Sequence, residues 1–197
     1  MKEIVIVGGG YAGVLAGLHL RKKLKDKKVH ITLINKHIYH IFTPSLYEVA
    51  TSESPMKNIA IPLSKIFPDT VELVKGTVEK IDQENKKVLI TGHEPIAFDY
   101  LIVTLGSQPA YYGIPGLEEY SIPFKTLNNA VKIQETINSR CLIEHGQKKK
   151  LEIVIGGGGF AGTELAAEIL NYRKKIARDN RIDQDCITTT VIQGSDR

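Results

Sequence analysis

Residues 3–13 read Glu3-Ile4-Val5-Ile6-Val7-Gly8-Gly9-Gly10-Tyr11-Ala12-Gly13, and residues 152–162 read Glu152-Ile153-Val154-Ile155-Gly156-Gly157-Gly158-Gly159-Phe160-Ala161-Gly162. At an offset of 149, nine of these eleven positions are identical, and Tyr11 facing Phe160 is conservative. The same supersecondary unit is therefore used twice. Each copy opens on an apolar β-branched run, Ile4 to Val7 or Ile153 to Ile155, which fits a strand buried on both faces of a parallel sheet. Glycines follow, then a helical pattern that ends near Leu24 in the first copy and near Ala177 in the second. A second apolar strand comes next, Val29 to Ile34 or Ile187 to Ile192.

The glycine spacing carries the chemistry. In Gly8-x-Gly10-x-x-Gly13, the first glycine permits the tight turn out of the strand. The second lets the backbone approach a pyrophosphate, and the third lets the helix pack on the strand. The amides that open the helix then face the phosphates, and the helix dipole favours negative charge there. Gly157-x-Gly159-x-x-Gly162 has the same mechanics. The strand–glycine–helix–strand context distinguishes both from a chance glycine turn. An acidic residue is expected at the end of each second strand, on the adenosine ribose. This sequence has Asn35 and Gln193 there. Both still donate and accept hydrogen bonds, but without a carboxylate's charge Asn35 predicts weaker dinucleotide affinity. At Gln193 the missing charge removes the repulsion against a 2′-phosphate. Glu164 follows the third glycine of the second copy and is expected in the first turn of its helix, where a carboxylate also serves as a dipole partner.

Between the copies the pattern changes. Residues 71–81 and 86–91 alternate apolar and polar side chains around the polar turn Asp82-Gln83-Glu84-Asn85, which predicts an antiparallel hairpin. Residues 100–105 return to a buried strand. Pro109, Gly113, Pro115 and Gly116 mark a linker, and a helix over about 126–145 leads into the second copy. A domain boundary near residue 110 follows, giving domains of 1–110 and 111–197.

Composition limits the alternatives. The chain has 197 residues, 42% of them apolar, and a formal charge of +4. That is enough chain to bury a core, and the charge is too mild for a nucleic-acid partner. The basic runs at 21–23, 27–28 and 148–150 are flanked or interrupted by Asp26, Glu144 and Glu152 and read as solvated helix ends. Cys141 and Cys186 form no C-x-x-C, so free thiols are expected in place of a zinc site or disulfide scaffold. No apolar run approaches a membrane span, and a strand starting at residue 3 leaves no room for a signal peptide. A cytoplasmic location is expected.

Two such motifs split by a β-hairpin resemble the two-dinucleotide-binding flavoproteins of the pyridine nucleotide-disulfide oxidoreductase type, in which the first motif binds FAD and the second NAD(P)H. The segment Tyr39-His40-Ile41-Phe42-Thr43-Pro44-Ser45-Leu46-Tyr47-Glu48-Val49-Ala50-Thr51 narrows the resemblance to the type II NADH dehydrogenases, single-subunit NADH:quinone oxidoreductases. Residues 98–107 and Gly113-Ile114-Pro115-Gly116 agree with it. The fold implied is α/β: a Rossmann-like FAD-binding domain with an inserted antiparallel hairpin, then the start of a second Rossmann-like NAD(P)H-binding domain. The resemblance implies FAD contacts at Gly8, Gly10, Tyr11, Ala12, Gly13, Asn35, Lys36, Pro44, Val78, Thr104 and Gly106. It implies NAD(P)H contacts at Gly157, Gly159, Gly162 and Gln193, and a role in electron transfer for Glu164. Read from the residues alone, His40 is a satisfied loop histidine and Tyr39 and Tyr47 are packing residues. Members of the family are longer. Their second half returns to the FAD domain, supplies a quinone site and makes peripheral membrane contact on the inner face of the cell membrane. The chain is accordingly expected to be an N-terminal fragment that retains flavin poorly, has little turnover alone, and associates as a homodimer or aggregate. A sulfide:quinone oxidoreductase shares this architecture but needs redox cysteines by the flavin. A disulfide reductase needs a cysteine pair after the first motif. A non-catalytic nucleotide-binding remnant is the remaining alternative.

Overall fold

The structure, a computed structural model, describes residues 1–25 and 27–194; Asp26, expected to interrupt a basic run, lies outside the described residues. β1 (Lys2–Val7), α1 (Tyr11–Lys23) and β2 (Val29–Asn35) open the chain. β3 (Tyr39–Ile41) follows, then a 3-10 turn at Thr43–Ser45 and helices α2 (Leu46–Ala50) and α3 (Met56–Ile59). β4 (Ala60–Pro62), α4 (Leu63–Ile66) and β5 (Glu72–Lys75) lead to β6 (Val78–Asp82), β7 (Lys87–Ile90), β8 (Ile96–Ala97) and β9 (Tyr100–Val103). After α5 (Leu117–Tyr120) and α6 (Leu127–Gly146) come β10 (Leu151–Gly156), α7 (Phe160–Asn180), a 3-10 turn at Gln184–Cys186 and β11 (Ile187–Ile192). These elements form two compact units. The first holds Met1–Ile41 and Ala60–Gln108; the second holds Phe42–Ile59 and the chain from Pro109 onward.

In the first unit a parallel sheet runs in the order β5-β2-β1-β9. β1 sits inside it because its side chains are apolar on both faces. Ile4 and Ile6 pack with Val14, Leu33 and Phe67 on one side. Val5 and Val7 pack with Ile34, Val88 and Ile90 on the other. Each such side chain, fully buried, contributes about 1.5–3 kcal/mol. α1 contacts β1 and β2, and the antiparallel sheet β6-β7-β8 supplies Val88 and Ile90 to the opposite face.

The hairpin differs from its sequence reading. Residues 71–81 are not one strand. They divide at Gly76: β5 pairs in parallel with β2, while β6 pairs antiparallel with β7. The chain changes sheets there, and the approach is too close for a side chain, since a Cβ on Gly76 would lie 2.3 Å from Ile90 Cγ2. A backbone turn that tight is legible only once β7 is in place.

In the second unit β10 pairs in parallel with β11, Ile153 opposite Thr189. α6 begins with a capping box, in which Thr126 Oγ1 accepts the Asn129 N–H at 3.2 Å and Asn129 Oδ1 accepts the Thr126 N–H at 3.1 Å. α7 buries Leu165, Ile169, Tyr172 and Ile176, a stripe at helical spacing. It runs to Asn180, beyond the expected end near Ala177. β10 was expected to be buried on both faces, as β1 is. It alternates instead, and Val154 is 61% exposed. α6 and α7 contact β10, and among the described residues nothing buries Val154.

Residues 42–59 depart from the linear division at residue 110. They leave the first unit after β3 and return to it at β4, and between these strands they belong to the second unit. A polar network holds them there. Ser52, left-handed at φ 57° where α2 stops, is 2.9 Å from the Tyr172 hydroxyl through its Oγ and accepts from Gln134 Nε2. Tyr172 donates to Asn138 Oδ1 at 2.6 Å, and Lys175 Nζ donates to the Ser52 carbonyl at 2.9 Å. Sequence reasoning missed this cluster, because its members are scattered polar residues with no shared motif.

Candidate nucleotide-binding site

The first glycine loop leaves β1 at its carboxyl end, between the ends of β2 and β9. Gly8 is left-handed at φ 109°, and a Cβ there would lie 2.2 Å from the Thr104 carbonyl oxygen. Gly13 packs on the same turn; its Cβ would lie 1.8 Å from the Gly8 oxygen. Gly10 differs from both. Its φ is −77°, and a Cβ would meet nothing within 4 Å. Gly10, Tyr11 and Ala12 are exposed and open α1. No side chain caps this helix and no acidic residue lies in its first turn. The first intrahelical bond runs from the Val14 N–H to the Gly10 oxygen at 2.9 Å, so the amides of Ala12 and Gly13 precede it and carry the positive end of the helix. An open cradle of backbone beneath a helix N-terminus, at the one motif glycine with open space where a Cβ would stand, suits a pyrophosphate.

The loop is held on three sides. Thr104 Oγ1, just past β9, donates to the Val7 and Gly8 oxygens at 2.8 and 3.0 Å. Asn35 Oδ1 accepts the Gly9 N–H at 2.9 Å, and its Nδ2 donates to the His37 oxygen at 2.8 Å. His40, 5% exposed, lies 3.0 Å from the Gly9 oxygen through Nδ1. Asn35, read from sequence as a ribose contact, thus first of all holds the loop. Lys36 and Gly106 are exposed, Gly106 at φ 77°. Val78 starts β6 and packs with Val5, Val7 and Ile34. Pro44, in the 3-10 turn, is exposed and belongs to the second unit. Tyr39 stacks on His37, centroids 5.1 Å apart. Burial lowers the His37 pKa, with Lys36 and Lys75 adding to the effect.

The second loop repeats the geometry. Gly157 is left-handed at φ 110°, and a Cβ on Gly162 would lie 2.0 Å from the Gly157 oxygen. Gly159, at φ −72°, has nothing within 4 Å of its Cβ position. Gln193 Oε1 accepts the Gly158 N–H at 2.7 Å, as Asn35 does for Gly9. Phe160, matching Tyr11, is 93% exposed. Because α7 starts at Phe160, directly after the second glycine, Glu164 lies in the second turn and not the first. It is exposed. It is also near enough to Tyr47 to act on that phenol, whose pKa is raised by burial and by Glu48, Glu164 and Glu168.

Cys141 and Cys186 are both buried, at 1% and 4% exposure. Burial, with the Cys186 thiol beside it, pushes the Cys141 thiol up to about 12. A thiol so protonated is a poor nucleophile, which weighs against a redox role for Cys141. Among the described residues no cluster of three or more His, Cys, Asp or Glu could hold a metal ion, and no helix is long and apolar enough to cross a membrane.

A family model described as pyridine nucleotide-disulphide oxidoreductase matches residues 2–197. The chain belongs to that family. Among similar members is the type II NADH:quinone oxidoreductase of Staphylococcus haemolyticus, 29% identical over 98% of this chain and 49% of its own length. Another is the demethylphylloquinone reductase NdbB of Synechocystis, 34% identical over 85% of this chain and 42% of its own. The chain thus spans about half the length of these relatives. Solved structures of the same fold include NDH2 from Plasmodium falciparum in complex with NADH, at a TM-score of 0.84, 21% identity and coverage of 98% of this chain and 42% of that one. The sulfide:quinone oxidoreductase of Aquifex aeolicus has a TM-score of 0.73 at 24% identity, covering 97% of this chain and 43% of that one. The family's Rossmann-like architecture accounts for the parallel sheet, the paired glycine loops and the inserted antiparallel strands.

Proposed function

We propose that this chain is the nucleotide-binding half of an FAD-dependent NAD(P)H:quinone oxidoreductase of the type II NADH dehydrogenase kind. FAD is held at the first glycine loop and NAD(P)H at the second. The observation that carries the reading is the pair of open cradles at Gly10 and Gly159, each with room where a Cβ would stand. The names of the similar relatives and the Tyr39–Thr51 segment support the choice within the family. In this reading the first unit is the FAD domain and the second the NAD(P)H domain. Gly8, Gly10 and Gly13 shape the turn, the amides of α1 face the pyrophosphate, and Thr104 and Asn35 keep the loop in place. Lys36, Val78 and Gly106 are further FAD contacts of the proposal within the first unit. When bound, a flavin supplies the acceptor for hydride from NAD(P)H and the donor to a quinone. Glu164 is the residue of this chain proposed to act in electron transfer. Peripheral membrane contact, an inner-face location and a homodimer belong to the proposal for the whole protein.

The test is to titrate the chain with FAD, then add NADH without oxygen, then a soluble quinone. Weak but saturable FAD binding is expected of the chain alone, with little turnover. Loss of the flavin's visible absorption on NADH, and its return on quinone, are expected once the downstream half is supplied by fusion or in trans. Absence of saturable FAD binding would sink the reading.

Nucleotide choice tests the second loop. Gln193 holds Gly158 without charge, so NADPH is expected to be accepted as well as NADH. Gln193→Glu keeps an acceptor for the Gly158 N–H and adds a charge facing any 2′-phosphate. Repulsion between two partly screened charges is worth about 1–4 kcal/mol at ~4 Å. NADPH binding should therefore weaken at least ~5-fold more than NADH binding. Equal effects on both nucleotides would remove residue 193 from the ribose.

A further inference from the structure

The two glycine loops are nearly identical in sequence, yet they are not held alike. In the first, the peptide between Gly8 and Gly9 is held at both ends, its carbonyl by Thr104 Oγ1 at 3.0 Å and its N–H by Asn35 Oδ1 at 2.9 Å. The next peptide, between Gly9 and Gly10, is held at its carbonyl by His40. A carbonyl only accepts, so His40 Nδ1 carries the proton and donates across the 3.0 Å contact. The ring is 5% exposed and meets the Tyr11 ring edge-on, centroids 4.8 Å apart at 84°. In the second loop the corresponding Gly158 carbonyl accepts from Thr163 Oγ1, an exposed hydroxyl on the loop's own helix, at 3.3 Å.

A trans peptide sets its C=O and N–H in opposite directions. When His40 draws the Gly9 carbonyl inward, the Gly10 N–H at the other end of that peptide is turned away from His40. Gly10 is exposed, and the space at its Cβ is open. We propose that His40 is a positioning residue for the first loop, aiming the Gly10 amide at a dinucleotide phosphate, and that this side-chain lock gives the first loop the firmer hold of the two. Resting on the assignment of FAD to the first loop, the inference explains how one motif used twice serves a resident cofactor in one copy and an exchanging nucleotide in the other. A donor aimed before the ligand arrives costs no ordering on binding.

Two substitutions separate the hydrogen bond from packing. His40→Asn keeps an N–H donor near the Nδ1 position and removes the ring. His40→Phe keeps a ring against Tyr11 and removes the donor, leaving the Gly9 carbonyl buried without its partner. Affinities for FAD and for NADH are measured by titration on the full chain, with circular dichroism to verify folding. His40→Phe should weaken FAD about 10-fold or more, as loss of a buried partner does. His40→Asn should stay within about 3-fold of the parent, and NADH affinity should be unchanged in both. If the parent binds FAD and the Phe variant binds it equally well, the positioning role is overturned while the FAD assignment stands. The positioning role is overturned equally if the Asn variant loses FAD as fully as the Phe variant. If the parent itself shows no saturable FAD binding, the assignment fails and this inference fails with it.

Discussion

Gly10→Asp is expected to leave the protein folded and to weaken FAD binding by at least ~100-fold, about 2.7 kcal/mol. Position 10 is the N-cap of α1, with φ −77° and ψ −171° and no capping side chain. Aspartate is a preferred N-cap and suits that conformation. A Cβ there meets nothing within 4 Å. Exchanging glycine for aspartate at such a cap shifts stability by only a few tenths of a kcal/mol. The same carboxylate fills the cradle, competes for the helix amides and repels a phosphate. Gly159→Asp should do the same at the second loop, where the N-cap has φ −72° and ψ 179°. It should abolish NAD(P)H binding and spare FAD. The measurement is a pair of titrations on each variant beside a thermal melt. Undiminished FAD binding by the Gly10 variant would take the flavin away from this loop.

Gly13→Ala is expected to act in the opposite way, through the fold. A methyl at that position lies 1.8 Å from the Gly8 oxygen, which is backbone in a turn already pinned by Thr104. Nothing flexible can give way, so α1 must move off β1. Overpacking of this kind costs about 1–3 kcal/mol, occasionally more, and the upper end is expected here. The thermal midpoint should fall on the order of 10 °C, with FAD binding lost along with the turn. Gly162→Ala, whose Cβ would stand 2.0 Å from the Gly157 oxygen, should destabilise the second unit similarly. A melt unchanged within a degree or two would show that the helix can slide without cost. Those two outcomes together would divide the glycine motif, with Gly10 serving the ligand and Gly13 the packing.

Much of this was legible from residue order. The apolar run Ile4 to Val7 predicted a strand buried on both faces, and each of its side chains is buried. The glycine spacing located both turns and the helix that follows each. The matching run Ile153 to Ile155 did not behave the same way, because burial depends on what covers a strand and the run cannot state that. Helix α7 began one turn earlier relative to Glu164 than the sequence suggested, since Gly162 lies inside the helix and not before it.

The sequence by itself determined the local units: strand, glycine turn, helix and strand, twice over. Those depend on interactions between near neighbours, on allowed backbone angles and on which side chains avoid water. Only the tertiary structure decided how the turns are held. Asn35, His40 and Thr104 reach the first loop from three different strands or their ends. Gly76 is where one apparent strand becomes two. Residues 42–59 join the second unit, and Cys141 lies beside Cys186. Each of these is a contact between residues remote in the chain. Its strength depends on distance and orientation in space, and neither is written in the order of the residues.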